Sequence, residues 1–132
     1  MNVFEKMKAG VPVNMEDEEY KTIARKEMER SREISYEASK LSPNSNEEII
    51  EKLEELFNNK FPKSSFITPP FMIDRAINMK VGENVFINHS LDCMSSGGIT
   101  IEDNVMIGPE VALMTVNHDF KNLKTLDRKS VV

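Results

Sequence analysis

The chain has 132 residues, of which 30% are charged and 39% hydrophobic, and its formal net charge is −5. This composition predicts one soluble domain, with at most a small appendage. The 17 basic side chains are outnumbered by 22 acidic ones, so we expect no nucleic-acid surface. No apolar run is long enough to span a membrane, and Cys93 is the single cysteine. We therefore expect a cytoplasmic protein without disulfides and without membrane partners.

The first sixty residues are predicted to be helical. Residues 2–9 predict a short helix that ends at Gly10. Residues 16–39 contain no glycine or proline and begin with acids, which complement the dipole of a helix N-terminus. A further helix is predicted within residues 46–57. The apolar stripes of these two longer helices comprise Tyr20, Ile23, Ala24, Met28 and Ile34, and Ile49, Ile50, Leu53, Leu56 and Phe57. We expect a helical hairpin whose apolar faces pack on a partner.

From residue 64 onward the sequence is strand-like and repeats with a period of six. The units are Val81–Phe86, Ile87–Asp92, Ile101–Met106 and Ile107–Ala112, and Leu113 begins another. Each unit starts with an aliphatic residue and has Val or Leu at its fifth position. Such a repeat predicts a parallel β-helix, in which each unit gives one short strand and one tight turn. Ser95–Gly98 shifts the phase by two residues, which predicts a loop on one face of the solenoid.

Residues 65–120 resemble the maltose and galactoside O-acetyltransferases. The matching text includes Pro69-Pro70, the run VGENVFIN from Val81, the run GGITIEDNVMIGP from Gly97, and the TVNH that ends at His118. The early KMKAG also resembles the N-terminal region of that family. These motifs are specific in combination, whereas each one alone is a weak signal.

The resemblance implies a mainly β fold with an α-helical N-terminal segment. We expect a helical leader over residues 1–60 and a left-handed parallel β-helix of two to three coils over residues 61–132. Members of the family transfer the acetyl group of acetyl-CoA to a hydroxyl of a sugar or a similar acceptor. They are homotrimers with active sites between subunits. The same architecture is therefore expected of this chain. No His, Cys or Asp cluster of this sequence has metal-ligand spacing, so no metal is expected.

The resemblance identifies His118 as the catalytic base. A free imidazole has a pKa of about 6.5 and can accept a proton at physiological pH. Chemistry alone would favour a solvated loop histidine, and the motif around His118 reverses that preference. Asn88 corresponds to the asparagine that the family uses to bind the acceptor, and its alternative role is that of a corner residue with left-handed backbone. The neighbouring His89 alternates away from Asn88 along a strand and is not expected to be catalytic.

Four further residues are candidate acceptor contacts through the same resemblance. Asp74 lies where the family places a small polar or acidic contact, although it equally suits a surface turn. Ser96 lies in the insertion beside the expected pocket, where the residue type by itself favours a simple corner role. The N-terminal acid of the family corresponds to Asn14, or to Asp17 after a shift in register. Arg75-Ala76 departs from the aromatic residue and glycine of many relatives, which puts the usual acceptor preference in question.

The chain stops at Val132, where a further strand would begin. The resemblance places most of the acetyl-CoA groove in coils beyond that point, so we expect a shortened form with weak acetyl-CoA binding and an exposed last coil. Two alternatives to the sugar acetyltransferase remain: a related enzyme with a non-sugar acceptor, and a catalytically impaired remnant that only oligomerises. Cys93 is expected to be a small core residue.

Overall fold

The computed structural model describes the backbone of residues 1–119 and 122–127 and the side chains of residues 1–117. Helix α1 (Val3–Ala9) begins at Asn2, whose side-chain oxygen accepts a hydrogen bond from the backbone N–H of Glu5. It ends at Gly10, which has a left-handed φ of 79°. Both ends of this helix therefore follow the capping chemistry of its sequence.

The predicted helical hairpin is confirmed. Strand β1 (Val13–Asn14) precedes a π-helical turn (Tyr20–Ala24), which runs directly into helix α2 (Arg25–Ser39). Helix α3 (Asn46–Leu56) packs against α2.

The rest of the described chain consists of ten short strands. They are β2 (Phe66–Ile67), β3 (Phe71–Ile73), β4 (Met79–Val81), β5 (Phe86–Ile87), β6 (Leu91–Met94), β7 (Ile99–Ile101), β8 (Met106–Ile107), β9 (Ala112–Met114), β10 (Asn117–Asp119) and β11 (Asn122–Asp127). Strands β2-β5-β8 form a first parallel wall, β3-β6-β9 a second and β4-β7 a third. This is the predicted left-handed parallel β-helix, with two full coils and the start of a third.

Each coil has 20 residues, because Phe66 lies beside Phe86, which lies beside Met106. Three six-residue units would give only 18. The two additional residues lie at one corner, between the second and third walls. We call it the long corner and define it as residues 74–78 of the first coil and 95–98 of the second. The phase shift at Ser95–Gly98 is thus confirmed, and the first coil carries the same extension.

Aliphatic side chains stack inside the β-helix from coil to coil. Ile67 lies under Ile87 and Ile107, and Ile73 lies under Cys93 and Leu113. Ile67, Ile87, Ile73 and Cys93 are fully buried, as expected for first positions of the repeat. Burial of a side chain of this size stabilises the fold by roughly 1.5–3 kcal/mol.

The helical hairpin covers the first coil, and the two regions share one hydrophobic core. Ile34, Leu53 and Leu56 belong to the same cluster as Ile67 and Ile87. The change of secondary structure near residue 61 therefore does not divide the core. Tyr20 and Ala24 of the first predicted stripe pack in a separate, smaller cluster with Val3 and Met7. Ile23 and Ile50 are 47% and 41% exposed. A stripe drawn from apolar residues alone is wrong at these two positions.

Serines occupy positions on the buried face of α2 where a continuous apolar stripe would have hydrophobic residues. Ser31, Ser35 and Ser39 recur every four residues and face the free edge of β3. The hydroxyl of Ser35 accepts a hydrogen bond from the N–H of Ile73 at 3.2 Å, and that of Ser39 accepts one from the N–H of Phe71 at 3.2 Å. The hydroxyl of Ser31 donates to the carbonyl of Ile73 at 2.6 Å. The helix thus provides hydrogen-bond partners for the backbone of the edge strand β3, which a preceding coil would otherwise pair.

We expect Ser35→Ala to lower the free energy of unfolding by about 1–3 kcal/mol, because it leaves the buried N–H of Ile73 without a partner. Denaturant unfolding measures this loss. Ser42→Ala is the matched control, since Ser42 is exposed and accepts only the N–H of Asn44. Equal stability of the Ser35 variant and the wild type would contradict the edge-capping role.

Candidate functional site

A small antiparallel sheet joins the N-terminal segment to the segment that contains His118. Strand β11 lies between β1 and β10, so Val13 and His118 both pair with Leu126. Asn14 pairs with Thr125 in the same sheet. The backbones of Asn14 and His118 are therefore about two strand spacings apart, or roughly 10 Å. The side chain of His118 lies outside the described residues.

The long corner begins with a buried carboxylate. Asp74 follows β3, and its Oδ1 accepts hydrogen bonds from the backbone N–H of Ser95 at 2.8 Å and from the Ser95 hydroxyl at 3.2 Å. Its Oδ2 lies 3.7 Å from the guanidinium of Arg75. These contacts tie the corner of the first coil to that of the second.

Arg75 connects the long corner to the N-terminal segment. Its guanidinium donates to the Ser96 hydroxyl at 2.8 Å and to the Tyr20 hydroxyl at 2.9 Å. The side chain is 2% exposed, and its Nε has no hydrogen-bond partner in the part of the chain whose side chains are described. Because arginine only donates, the hydroxyl protons of Ser96 and Tyr20 remain free to point elsewhere.

The long corner also contacts the residues that lead into β10. The N–H of Gly97 donates to the hydroxyl of Thr115 at 3.1 Å, and Thr115 is two residues before Asn117. One region of the molecule thus contains the long corner, the N-terminal strand β1 and the strand of His118.

The sequence and the fold are similar to those of known acetyltransferases, although no family model matches the chain. A sophorolipid acetyltransferase of Starmerella bombicola is 30% identical over 119 residues, which are 87% of this chain and 46% of that protein. A maltose O-acetyltransferase of Clostridium difficile 630 superposes with a TM-score of 0.83 at 26% identity, over 98% of this chain and 68% of that one. A hexapeptide-repeat acetyltransferase of Vibrio cholerae, solved with acetyl-CoA, superposes with a TM-score of 0.75 at 24% identity, over 91% and 62%.

The chain is similar in sequence to proteins named as acetyltransferases, and it shares the fold of the maltose O-acetyltransferase. It spans about half the length of the curated relatives that it matches. The resemblance predicted from residues 65–120 is therefore confirmed, and the individual site residues remain predictions.

The fold brings some of the predicted acceptor contacts together and separates others. Asp74 and Ser96 meet at the long corner, where both are buried. Asn14 is half-buried, and its side-chain oxygen accepts the N–H of Glu16 at 2.8 Å. Asp17 is exposed and lies in the turn after Asn14.

Asn88 lies at a different corner, between the first and second walls. It is half-buried, and its Oδ1 accepts the N–H of His89 at 2.8 Å. The left-handed residues nearby are Asn84 and Ser90, with φ of 55° and 69°. The alternative explanation of Asn88 as a left-handed corner residue is therefore wrong. Within one chain, Asn88 does not join Asp74 and Ser96.

Sequence reasoning did not find Tyr20 or Arg75 as parts of this region. Arg75 stood out only as a departure from the family pattern, and Tyr20 was assigned to an apolar stripe. The two residues are 55 positions apart, so no local spacing connects them.

Cys93 is buried in the stack between Ile73 and Leu113. Burial raises the pKa of its thiol to about 12, and the negative charges of Asp74 and Asp92 add to the effect. The thiol therefore stays protonated in the folded protein well above pH 9. A neutral buried thiol is a poor nucleophile, which agrees with a packing role.

The folded protein should consequently lose stability in alkali. The unfolded chain releases the Cys93 proton above its ordinary pKa of about 9, whereas the folded chain holds it up to about 12. The favourable contribution is complete below pH 9 and falls by roughly 1.4 kcal/mol per pH unit above it. The free energy of unfolding should fall less between pH 7 and pH 10 in Cys93→Val than in the wild type, because the variant has no thiol at this position. An identical alkaline loss in the variant would contradict the assignment.

No group of three His, Cys, Asp or Glu side chains within residues 1–117 is placed to hold a metal ion. The helices in that range are each too short or too polar to cross a lipid bilayer.

Proposed function

We propose that this chain transfers the acetyl group of acetyl-CoA to a hydroxyl of a sugar or a similar molecule, with His118 as general base. The pairing of β1 and β10 with β11 carries the proposal, because it sets Asn14 and His118 in one sheet. The similar proteins support it, since one is a maltose O-acetyltransferase and another was solved with acetyl-CoA.

The proposed reaction is a direct transfer. The acceptor oxygen attacks the thioester carbonyl carbon while an imidazole nitrogen of His118 takes the hydroxyl proton. The carbon–sulfur bond then breaks, the ester remains on the acceptor, and the proton passes to the thiolate of CoA. General-base assistance of this kind is typically worth about 10² to 10⁴ in rate.

The proposed acceptor contacts have different chemical capacities. Ser96 accepts a hydrogen bond from Arg75, so its hydroxyl can donate to an oxygen of the acceptor. Asp74 uses Oδ1 within the protein and would offer Oδ2. Asn14 or Asp17 would bind the acceptor from the N-terminal segment.

A homotrimer would complete this site. Asn88 lies at another corner of its own chain, so it can reach an acceptor at the long corner only from a neighbouring copy. We therefore propose that Asn88 of one subunit faces Asp74 and Ser96 of the next. Sedimentation equilibrium tests this directly, and a monomer at enzyme-assay concentrations would contradict it.

Product analysis tests the transferase itself. The chain is incubated with deuterated acetyl-CoA and a panel of sugars, and each acceptor is examined by mass spectrometry. We expect a labelled acetyl ester on at least one acceptor and none in reactions without protein. Unmodified acceptors throughout the panel would contradict the proposal.

A second candidate is a protein that only oligomerises. It is favoured by Ile107 and Leu113 of the last described coil, which are only half-buried, whereas Ile87 and Cys93 below them are fully buried. An apolar surface of this kind promotes association. Size-exclusion chromatography showing assembly, together with absence of labelled product, would favour this candidate.

A further inference from the structure

A groove of about 390 Å³ lies on the outer face of the third wall, beside the long corner. It is lined by residues of α1, of strands β4 and β7 and of the long corner. Gly97, at its edge, directly follows Ser96. The groove therefore adjoins the proposed acceptor contact.

Two uncompensated lysines border this groove. Lys8 lies in the last turn of α1 and Lys80 in β4, and both side chains are exposed. Neither has a carboxylate within ion-pair distance among residues 1–117, whereas Lys6, Lys21 and Lys52 each pair with a glutamate. On a chain of net charge −5, this leaves two positive charges at one place. Such a place favours an anion.

Gly98 fixes the position of the Lys8 stem. Its φ is 86°, and a Cβ added there would lie 3.3 Å from Cγ of Lys8. The aliphatic part of Lys8 thus packs against bare backbone at the corner. This packing reduces the conformational freedom that the side chain would lose on binding an anion.

Asn78 is a further polar residue of the groove lining and is 4% exposed. Its Nδ2 donates to the backbone carbonyl of Ser96 at 3.2 Å, which ties the groove to the proposed acceptor contact. Its Oδ1 is inaccessible to solvent, so the charge that faces the groove comes from the two lysines.

We propose that this groove binds an oxyanion, carboxylate or phosphate, carried by a hydroxylated acceptor. Lys8 and Lys80 bind the anionic group. The proposal rests on the function proposed above and narrows its substrate class to acidic or phosphorylated sugars.

The test compares glucuronate and glucose 6-phosphate with neutral glucose. Backbone amide resonances of Gly97, Gly98 and Thr100 in the full 132-residue chain report binding. We expect saturable shifts with the two anionic sugars and at least tenfold weaker binding of glucose. The double variant Lys8→Gln/Lys80→Gln should weaken anion binding about tenfold. The control Lys26→Gln/Lys63→Gln removes the same charge from exposed sites outside the groove and should leave binding unchanged.

The outcomes separate the groove from the transferase. Equal binding of glucose, no binding of either anion, or equal weakening in the control pair would overturn the groove proposal. A difference in affinity between glucuronate and glucose 6-phosphate would identify carboxylate or phosphate as the preferred group. Anion binding without acetyl transfer would leave the groove standing and reject the proposed reaction. Acetylation of glucose without anion binding would support the proposed reaction and reject the groove proposal.

Discussion

His118→Ala should lower kcat/KM for acetyl transfer by about 10² to 10⁴, because the acceptor hydroxyl would lose its base. The fold should persist, since the backbone of His118 pairs with Leu126 whichever side chain it carries. The measurement is the initial rate of free-thiol release from acetyl-CoA as a function of acceptor concentration below saturation, with circular dichroism as a check on folding.

The other histidine of the chain is a matched control. His89 is exposed, and its Nδ1 lies 3.1 Å from the hydroxyl of the adjacent Ser90. His89→Ala should retain kcat/KM within about twofold, an effect of less than 0.5 kcal/mol. Comparable losses in the two variants would contradict a specific catalytic role for His118.

Ile87→Ala should have the largest effect on stability, a loss of about 2–5 kcal/mol in the free energy of unfolding. Ile87 is fully buried and stacks between Ile67 and Ile107 in the first wall. Removing its side chain leaves a cavity between three coils, and the short strands on either side have little freedom to close it. Urea unfolding followed by circular dichroism measures the loss.

An outward residue of the same wall provides the comparison. Met106 precedes Ile107 in β8 and is 80% exposed. Met106→Ala should change the free energy of unfolding by no more than about 0.5 kcal/mol. If both variants lost the same stability, the alternation of inward and outward residues would be wrong.

The β-helix could be predicted from the sequence because its repeat is local. Val81, Ile87 and Ile101 each begin a unit of six, and each is buried as that position requires. The extension of the first coil was missed, because residues 74–78 come before the first recognisable unit. Only the register between β3 and β6 shows that this stretch matches Ser95–Gly98.

The contacts that assemble the candidate site could not be predicted in the same way. The Arg75–Tyr20 hydrogen bond spans 55 positions, and the serines of α2 are polar residues at positions where an apolar stripe is expected. Both depend on how the helical segment docks on the first coil. The resemblance identified Asp74 and Ser96 as candidates, but it did not indicate that Arg75 would hold them in one buried network.

Acceptor-dependent release of CoA tests the central claim most directly. The purified chain is mixed with acetyl-CoA and one sugar at a time, and free thiol is measured continuously. The proposed transferase predicts release that saturates with acceptor concentration and exceeds the rate in buffer alone. Release that is independent of every acceptor, or absent altogether, would contradict it.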